Sequence, residues 1–443
     1  MLWPMLNYDR FIFESYSFDS SSGRIELRYS LDGDLQFTEA LDIPVEAITR
    51  ADHPDLDKAL FMLHLIGGIS YYKTCLPKKI EVLSGSLSKE QAAFWNDVYE
   101  NGLGEFFYKN NVDFRELIKF PQSTDAAKPR ISNNESRITK VLATIGGGKD
   151  SLVTAELLKA AEIPTTLLRI GDHPLIRESA KMAKLPLLAV KRHLSPTLFE
   201  LNARGAYNGH IPITAYLSTL SVIVAMLTEH TDVAFSNERS ANEGNTTLHG
   251  KEINHQWSKS LLFEKAFQDY LENYVTKDVR YTSILRPLSE LHIAKLFTEY
   301  PQHFSCFSSC NANWKIAEAA RGATRWCGHC PKCAFAFVLF AAFLPKKTML
   351  EIFERDLFAQ DTLIPLYREL LGLEGIKPFE CVGTPEETRA AFELAHRRGE
   401  WNNTPVIRAY LEGTRATDEE IDRCLAPTDE HAIPTELLHV LPN

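Results

Sequence analysis

Gly146-Gly147-Gly148-Lys149-Asp150-Ser151 carries the most legible chemistry in this chain of 443 residues. The stretch follows Val141-Leu142-Ala143-Thr144-Ile145, a run of strand formers, and leads into an apolar, helix-compatible segment from Leu152 to Ala161. Consecutive glycines permit positive φ and leave no Cβ between the backbone amides and an incoming anion. A helix starting there aims its free N–H groups and the positive end of its dipole at the same point, so phosphate or pyrophosphate is the natural guest. Asp150 or Ser151 is expected to cap that helix. The Walker loop is excluded, because it requires Ser or Thr directly after Gly-Lys, where Asp150 stands here.

A second constellation is Cys327-x2-Cys330-x2-Cys333, with Cys306 and Cys310 upstream. Thiolates at two-residue gaps can converge on one ion, and closed four-sulfur sites are typically structural zinc. Repeated two-residue gaps also occur in iron–sulfur proteins, which stand as the rival reading. Five thiols compete for four positions, so the sequence leaves Cys306 and Cys310 both open as ligands.

These groups need elements to position them. After the glycine loop, Thr165 to Ile170 and Leu187 to Lys191 read as strands, separated by a helical run from Leu175 to Lys184, and Val233 to Ser236 as a fourth strand. Strands alternating with helices predict right-handed crossovers and a doubly wound parallel sheet, an α/β fold. Ligands in such sheets sit at the carboxyl ends of the strands. That rule selects the glycine loop, Gly171-Asp172-His173, and Asn237 to Asn245, whose two carboxylates, arginine and amides suit a charged substrate.

Upstream, Phe11 to Ile43 alternates with period two around an Asp32-Gly33 turn, predicting a small antiparallel sheet. Lys79 to Leu83 reads as a strand and Ser88 to Glu100 as a helix capped by Ser88. The expected organisation is an N-terminal α+β domain over 1–120, a linker at 121–137, the loop-bearing domain with its cysteines over 138–345, and a helical region over 346–443. Capping signals open helices at Thr384-Pro385-Glu386-Glu387 and Thr417-Asp418-Glu419-Glu420. No chemistry is legible in that last region, which reads as packing or oligomerisation surface.

Ile211 to Leu227 has no charged residue, but its hydroxyls, Tyr216 and its place between two strands predict a buried crossover helix rather than a membrane span. The formal charge of −10 and the absence of a basic stripe argue against a nucleic-acid partner. Met1 to Phe13 lacks a signal-peptide pattern, so the expectation is a cytoplasmic protein. In that reducing compartment clustered cysteines serve metal rather than disulfides.

The glycine loop resembles the PP-loop of the ATP pyrophosphatases, usually written Ser-Gly-Gly-x-Asp-Ser, with Gly146 in place of the serine. Those enzymes release pyrophosphate from ATP and place AMP on a substrate oxygen. The 7-cyano-7-deazaguanine synthases of that group carry a similar cysteine knuckle, a likeness that implies zinc held by Cys310, Cys327, Cys330 and Cys333.

Beyond the loop, the chain is similar to the bacterial ATP-dependent UDP-N-acetylmuramoyl-L-alanyl-L-glutamate epimerases of MurL type. The likeness runs through Ser70-Tyr71-Tyr72-Lys73, Gly102-Leu103-Gly104-Glu105-Phe106, Gly209-His210-Ile211-Pro212-Ile213-Thr214, Ser236-Asn237-Glu238-Arg239-Ser240, Asn254-His255-Gln256-Trp257-Ser258-Lys259-Ser260 and the cysteines. It implies inversion of the terminal L-Glu of a UDP-linked muramoyl dipeptide, with ATP and magnesium. By that resemblance Gly146, Gly147, Gly148, Lys149 and Ser151 hold the phosphates and Asp150 helps place magnesium. Arg169, Gly171 and His173 lie near ribose and adenine. Glu238, Arg239, Asn242, Asn245, His210, His255 and Lys259 lie near the substrate. Candidates for the two proton transfers are His255, Lys259, Glu238 and Cys306. The competing readings are another adenylating enzyme of the PP-loop group, making a nitrile or thiolating tRNA, and a zinc-stabilised ATP sensor without turnover.

Overall fold

Ile25, Leu27, Tyr29 and Leu31 are spaced two apart, and all four bury completely on one face of a strand. The computed structural model describes residues 8–123, 139–313 and 324–442. Strands β1 (Arg10–Asp19), β2 (Arg24–Leu31) and β3 (Leu35–Asp42) form an antiparallel meander, and β4 (Lys79–Val82) adds in parallel beside β1. Both residues of the predicted turn, Asp32 and Gly33, take positive φ.

The second half supplies β5 (Val141–Thr144), β6 (Thr165–Ile170), β7 (Leu187–His193), β8 (Asp232–Phe235), a hairpin of β9 (Thr246–Leu248) and β10 (Lys251–Ile253), and β11 (Arg280–Ser283). The main sheet runs β11-β8-β5-β6-β7-β3-β2-β1-β4, with the first five strands parallel. The antiparallel meander is therefore one half of a nine-stranded sheet rather than a separate small sheet. The expected linker at 121–137 lies, from 124 onward, outside the described residues.

Within the sheet the two halves pair at three described positions, Ala40 with His193, Leu41 with Arg192 and Asp42 with Lys191. Beside them the fully buried Glu39 accepts hydrogen bonds from Tyr71 (2.7 Å), Tyr216 (2.6 Å) and Arg192 (2.9 and 3.1 Å). The carboxylate thus has a donor from each element that meets at the seam, which offsets the cost of burying its charge.

Each sheet face carries its own core. On one face Phe11, Tyr29, Leu63 and Tyr72 meet Val222 and Phe267. The helix Ile213–Leu227 lies on this side and is buried on nearly every side. Its hydroxyls explain how a polar-dotted helix tolerates this: Ser218, Thr219 and Ser221 donate to carbonyls three or four residues back. Among the described residues no helix is long and apolar enough to cross a membrane.

The other face is covered by the helix Lys149–Ala160, the helix Glu290–Phe297, the apolar helix Pro331–Ala341 and the C-terminal helices. Thr384 with Glu387 and Thr417 with Glu420 form the expected reciprocal caps. The C-terminal region contributes Phe392 and Tyr410 from helices and Trp401 from the turn between them to the same core as Leu152 and Val153.

Candidate active site

The chain runs outward from β5 to β6 and β7 and then returns to β8 on the other flank of β5, so the crevice at the carboxyl ends of β5 and β8 is a topological switch point. A cavity of about 520 Å³ opens there, large enough for a nucleotide-sized ligand. Gly146, Gly148, Asp150, Arg169, Lys259 and Cys381 line it, together with apolar side chains from the helices on both faces of the sheet.

The glycine loop forms one wall. Gly147 takes φ +80°, a conformation that suits only glycine, and its carbonyl accepts from Ser308 N–H at 2.9 Å. Gly148, rather than Asp150 or Ser151, is the N-cap of the helix Lys149–Ala160, and it offers no side-chain bond. The helix starts two residues earlier than a cap at Asp150 requires. The Ser151 hydroxyl instead turns back into the loop, donating to Gly148 carbonyl at 3.1 Å and accepting from Gly146 N–H at 3.3 Å. Lys149 is buried, with its ammonium on Asp150 Oδ1 at 2.5 Å and on Glu290. Burial alone pushes that ammonium down, but the two carboxylates hold it far above the usual lysine value.

The opposite wall is set by Arg286, fully buried and paired with Glu264 at 2.9 Å. Its guanidinium also donates to the carbonyls of Glu238 (2.6 Å) and Lys259 (2.5 Å), so one cation fixes the backbone of two site-bearing loops. Glu238 is buried, and its Oε1 has no hydrogen-bond partner among the described residues. Burial pushes its carboxyl up, against the lowering charges of Lys259 and Lys149. Lys259 Nζ lies 3.3 Å from Cys381 Sγ. Burial lowers the Lys259 ammonium, but Cys381, Glu238 and Asp150 raise it well above its ordinary value.

Behind Cys381 sits His255, its Nε2 3.9 Å from the sulfur and its Nδ1 bonded to Glu105. Burial lowers this imidazole, yet the bonds to Cys381 and Glu105 hold it up at about 9. His210 lies 3.4 Å from Glu105 and 4.5 Å, ring to ring, from His255. Burial and the neighbouring His255 charge push His210 down to about 3, so it is neutral.

Several of the residues expected near a ligand fasten loops. The Arg239 guanidinium donates to the carbonyls of Arg423, Cys424 and Ala426, on the C-terminal helix Asp418–Leu425 and just beyond it. Asn242 Oδ1 accepts from Leu261 N–H, and Asn245 ties His255 N–H to the carbonyls of Lys377 and Pro378. Gly171 makes a positive-φ turn after β6, and His173 Nδ1 caps the helix Pro174–Ala183. Of the three residues expected near ribose and adenine, only Arg169 lines the cavity. Cys306 is buried with its thiol on His303 carbonyl, away from the cavity lining.

Glu290, Arg286 and Cys381 went unmarked in the sequence. Ser289 followed by Glu290 is a readable helix start, but nothing local ties it to Lys149. Cys381 lies in the region that reads as packing surface, and the structure corrects that reading by bringing its thiol to the cavity.

The sulfurs of Cys310, Cys327, Cys330 and Cys333 lie within 4.8 Å of one another. Cys310, not Cys306, joins the three clustered thiols, and its sulfur accepts from Cys327 N–H at 3.3 Å. The four can converge on one tetrahedral ion. They stand at the start of the helix Pro331–Ala341, whose Phe335, Ala336, Leu339 and Phe340 line the cavity.

Family models described as the MurL N-terminal domain and the MurL C-terminal domain match residues 5–284 and 306–423. The chain is 40% identical to a UDP-N-acetyl-alpha-D-muramoyl-L-alanyl-L-glutamate epimerase of Xanthomonas oryzae pv. oryzae, over 96% of this chain and 95% of that one. Proteins of the same name from a Micromonospora species (39% identical, 92% of each chain) and from Salinispora tropica (38%, 92% of this chain and 90% of that one) are similarly related.

Proposed function

The chain belongs to the MurL epimerase family and is an isomerase, and from that premise we propose that it inverts the terminal L-Glu of UDP-N-acetylmuramoyl-L-alanyl-L-glutamate through an acyl-adenylate formed from ATP and magnesium, in the supply of peptidoglycan precursor. The observation that carries this reading is the shared cavity: the glycine loop forms one wall and Lys259 the other, with Glu238 close by.

The chemistry needs both walls. A free carboxylate resists loss of its α proton, because a second negative charge would build beside the first. Placing AMP on it removes that charge and gives the carbanion an acyl group to delocalise into, so a side-chain base can work near neutral pH. The Gly146–Gly148 backbone and the helix N-terminus suit the leaving pyrophosphate. Lys149, held as an ammonium, adds positive charge beside it. Asp150 lines the cavity with Oδ1 on Lys149, and its carboxylate suits magnesium, which would neutralise charge on the phosphates. Arg169 and the apolar lining suit the nucleoside. Lys259 suits the substrate carboxylate, and Glu238, whose carboxyl burial pushes up, suits a proton donor. The four-thiol cluster fits structural zinc, which would fix the start of the helix Pro331–Ala341.

The test is pyrophosphate release from ATP and magnesium with UDP-N-acetylmuramoyl-L-alanyl-L-glutamate, with L-Ala-L-Glu and with no substrate, followed by chiral analysis of glutamate. Release that depends on the nucleotide-linked substrate and yields D-Glu supports the reading. Release with some other acid leaves adenylation standing and removes this substrate. No release under any condition favours a nucleotide sensor. Metal analysis of the purified protein, expected at one zinc per chain and lost in Cys327→Ser, tests the thiol site separately.

A further inference from the structure

An inverting enzyme needs a proton acceptor on one face of Cα, and the groups picked from the sequence are poorly suited to that role. Lys259 is held as an ammonium, burial pushes the Glu238 carboxyl up, His255 is held up at about 9, and the buried Cys306 does not line the cavity. We infer that the acceptor is Cys381, whose thiolate is held by Lys259 at 3.3 Å and by a His255–Glu105 relay behind it. This rests on the adenylation reading above.

The geometry is that of an activated nucleophile, in which a sulfur is backed by an imidazole and the imidazole is oriented by a carboxylate. The three members come from distant parts of the chain: Glu105 from the helix Gly104–Asn110, His255 from the segment after β10, and Cys381 from the segment before the helix Pro385–Arg398. That last segment is fastened in place by Asn245, which bonds the carbonyls of Lys377 and Pro378, and by Gln256, which reaches the carbonyl of Val382. Cys381 lines the same cavity as the glycine loop. The buried, unpartnered Glu238 Oε1, whose charge neighbours Lys259 and Asp150 also line that cavity, marks a second group with unused bonding capacity.

Burial raises the Cys381 thiol, but Lys259, Lys332 and His255 pull it well below its usual value, with the acidic Glu380 also close by. A metal reading of Glu105, His210 and His255 is weaker, because the Lys109 ammonium already sits on the same carboxylate.

In the step, the Cys381 thiolate takes the α hydrogen of the adenylated glutamate as a proton. The Cα–H bond breaks, an S–H bond forms, and the electron pair moves into the acyl carbonyl. A donor on the opposite face returns a proton to Cα, and exchange with water resets both groups. Cys381 is the catalytic residue here, while His255 and Glu105 are positioning residues.

Wild type, Cys381→Ser and Cys381→Ala are compared with UDP-N-acetylmuramoyl-L-alanyl-L-glutamate, ATP and magnesium in D2O, reading pyrophosphate, D-Glu and α-deuterium. Wild type is expected to yield deuterated D-Glu. Both variants are expected to release pyrophosphate while D-Glu formation falls at least about a hundredfold. Deuterated D-Glu from Cys381→Ser within about threefold of wild type overturns the assignment, as does a parallel loss of pyrophosphate and D-Glu. If wild type gives neither product, the adenylation reading fails and the inference falls with it.

Alkylation by iodoacetamide is a readout independent of turnover, with the half-exposed Cys75, whose thiol burial pushes up, as internal reference. Between pH 6.5 and 8.5 the Cys75 rate is expected to climb about tenfold per unit while the Cys381 rate stays flat. In His255→Asn the Cys381 midpoint is expected to move up by about one unit or more. A Cys381 rate climbing in step with Cys75 overturns the thiolate, and an unmoved midpoint overturns the relay.

Discussion

The seam between β3 and β7 and the cavity beyond β5 are both built on buried charge, and they treat it in opposite ways. At the seam, Glu39 has four hydrogen bonds from three side chains and no function left over. At the cavity, the neighbouring Glu238 keeps an oxygen without a partner among the described residues, and Lys149 pairs with two carboxylates that compete for it. Evenly matched donors and acceptors hold a fold together. Mismatched ones, kept in place by a separate clamp such as Arg286, are available for a reaction.

Removing Glu39 tests the structural side and carries the largest expected effect. Glu39→Ala leaves Arg192 buried without its partner and should lower unfolding free energy by about 3–5 kcal/mol in denaturant titration. A loss under about 1 kcal/mol would erase the contrast.

The next effect is in pH. His255 has a folded value of about 9, above the ordinary 6.5, so its stabilising contribution is full below about pH 6.5 and is lost as pH rises through about 9. The shift of about 2.5 units corresponds to roughly 3 kcal/mol, and the difference between wild type and His255→Asn in unfolding midpoint should shrink steadily across that window. A difference independent of pH would place His255 with the seam rather than the site.

Glu238→Gln sharpens the comparison from the other side. Because Oε1 has no partner to lose, stability should change by no more than about 1 kcal/mol, while D-Glu formation drops about a hundredfold. A large stability loss with activity intact would make Glu238 a second Glu39. Smallest is Ser151→Ala, which removes two hydrogen bonds inside the glycine loop. It should weaken ATP binding by about 1 kcal/mol, roughly fivefold in Kd.

The same contrast explains what the sequence could and could not disclose. The glycine loop, β6 and the two C-terminal caps are local patterns, in which neighbours along the chain are neighbours in space, and they are legible, although the cap after the loop falls at Gly148, two residues before Asp150. The cysteine set was legible except for its fourth member, because choosing Cys310 over Cys306 needs the path of the intervening chain. Asn242, Asn245 and Arg239 fasten loops, and a polar side chain that fastens a loop looks, in one dimension, like one that awaits a ligand. Glu105, His255 and Cys381 meet across large sequence separations, and no periodicity reports that. The three-pair junction of β3 with β7 was equally invisible, which is why the meander read as a sheet of its own.

The placement of Cys381 also bears on how the protein is made. A ribosome releases the glycine loop more than two hundred residues before Cys381 emerges, so an enzyme assembled in chain order would present its nucleotide wall long before its thiol. The core beneath the loop is finished later still. Leu152 and Val153 belong to the same buried cluster as Phe392, Trp401 and Tyr410, so a chain that stops short of those residues leaves the support of the glycine loop incomplete.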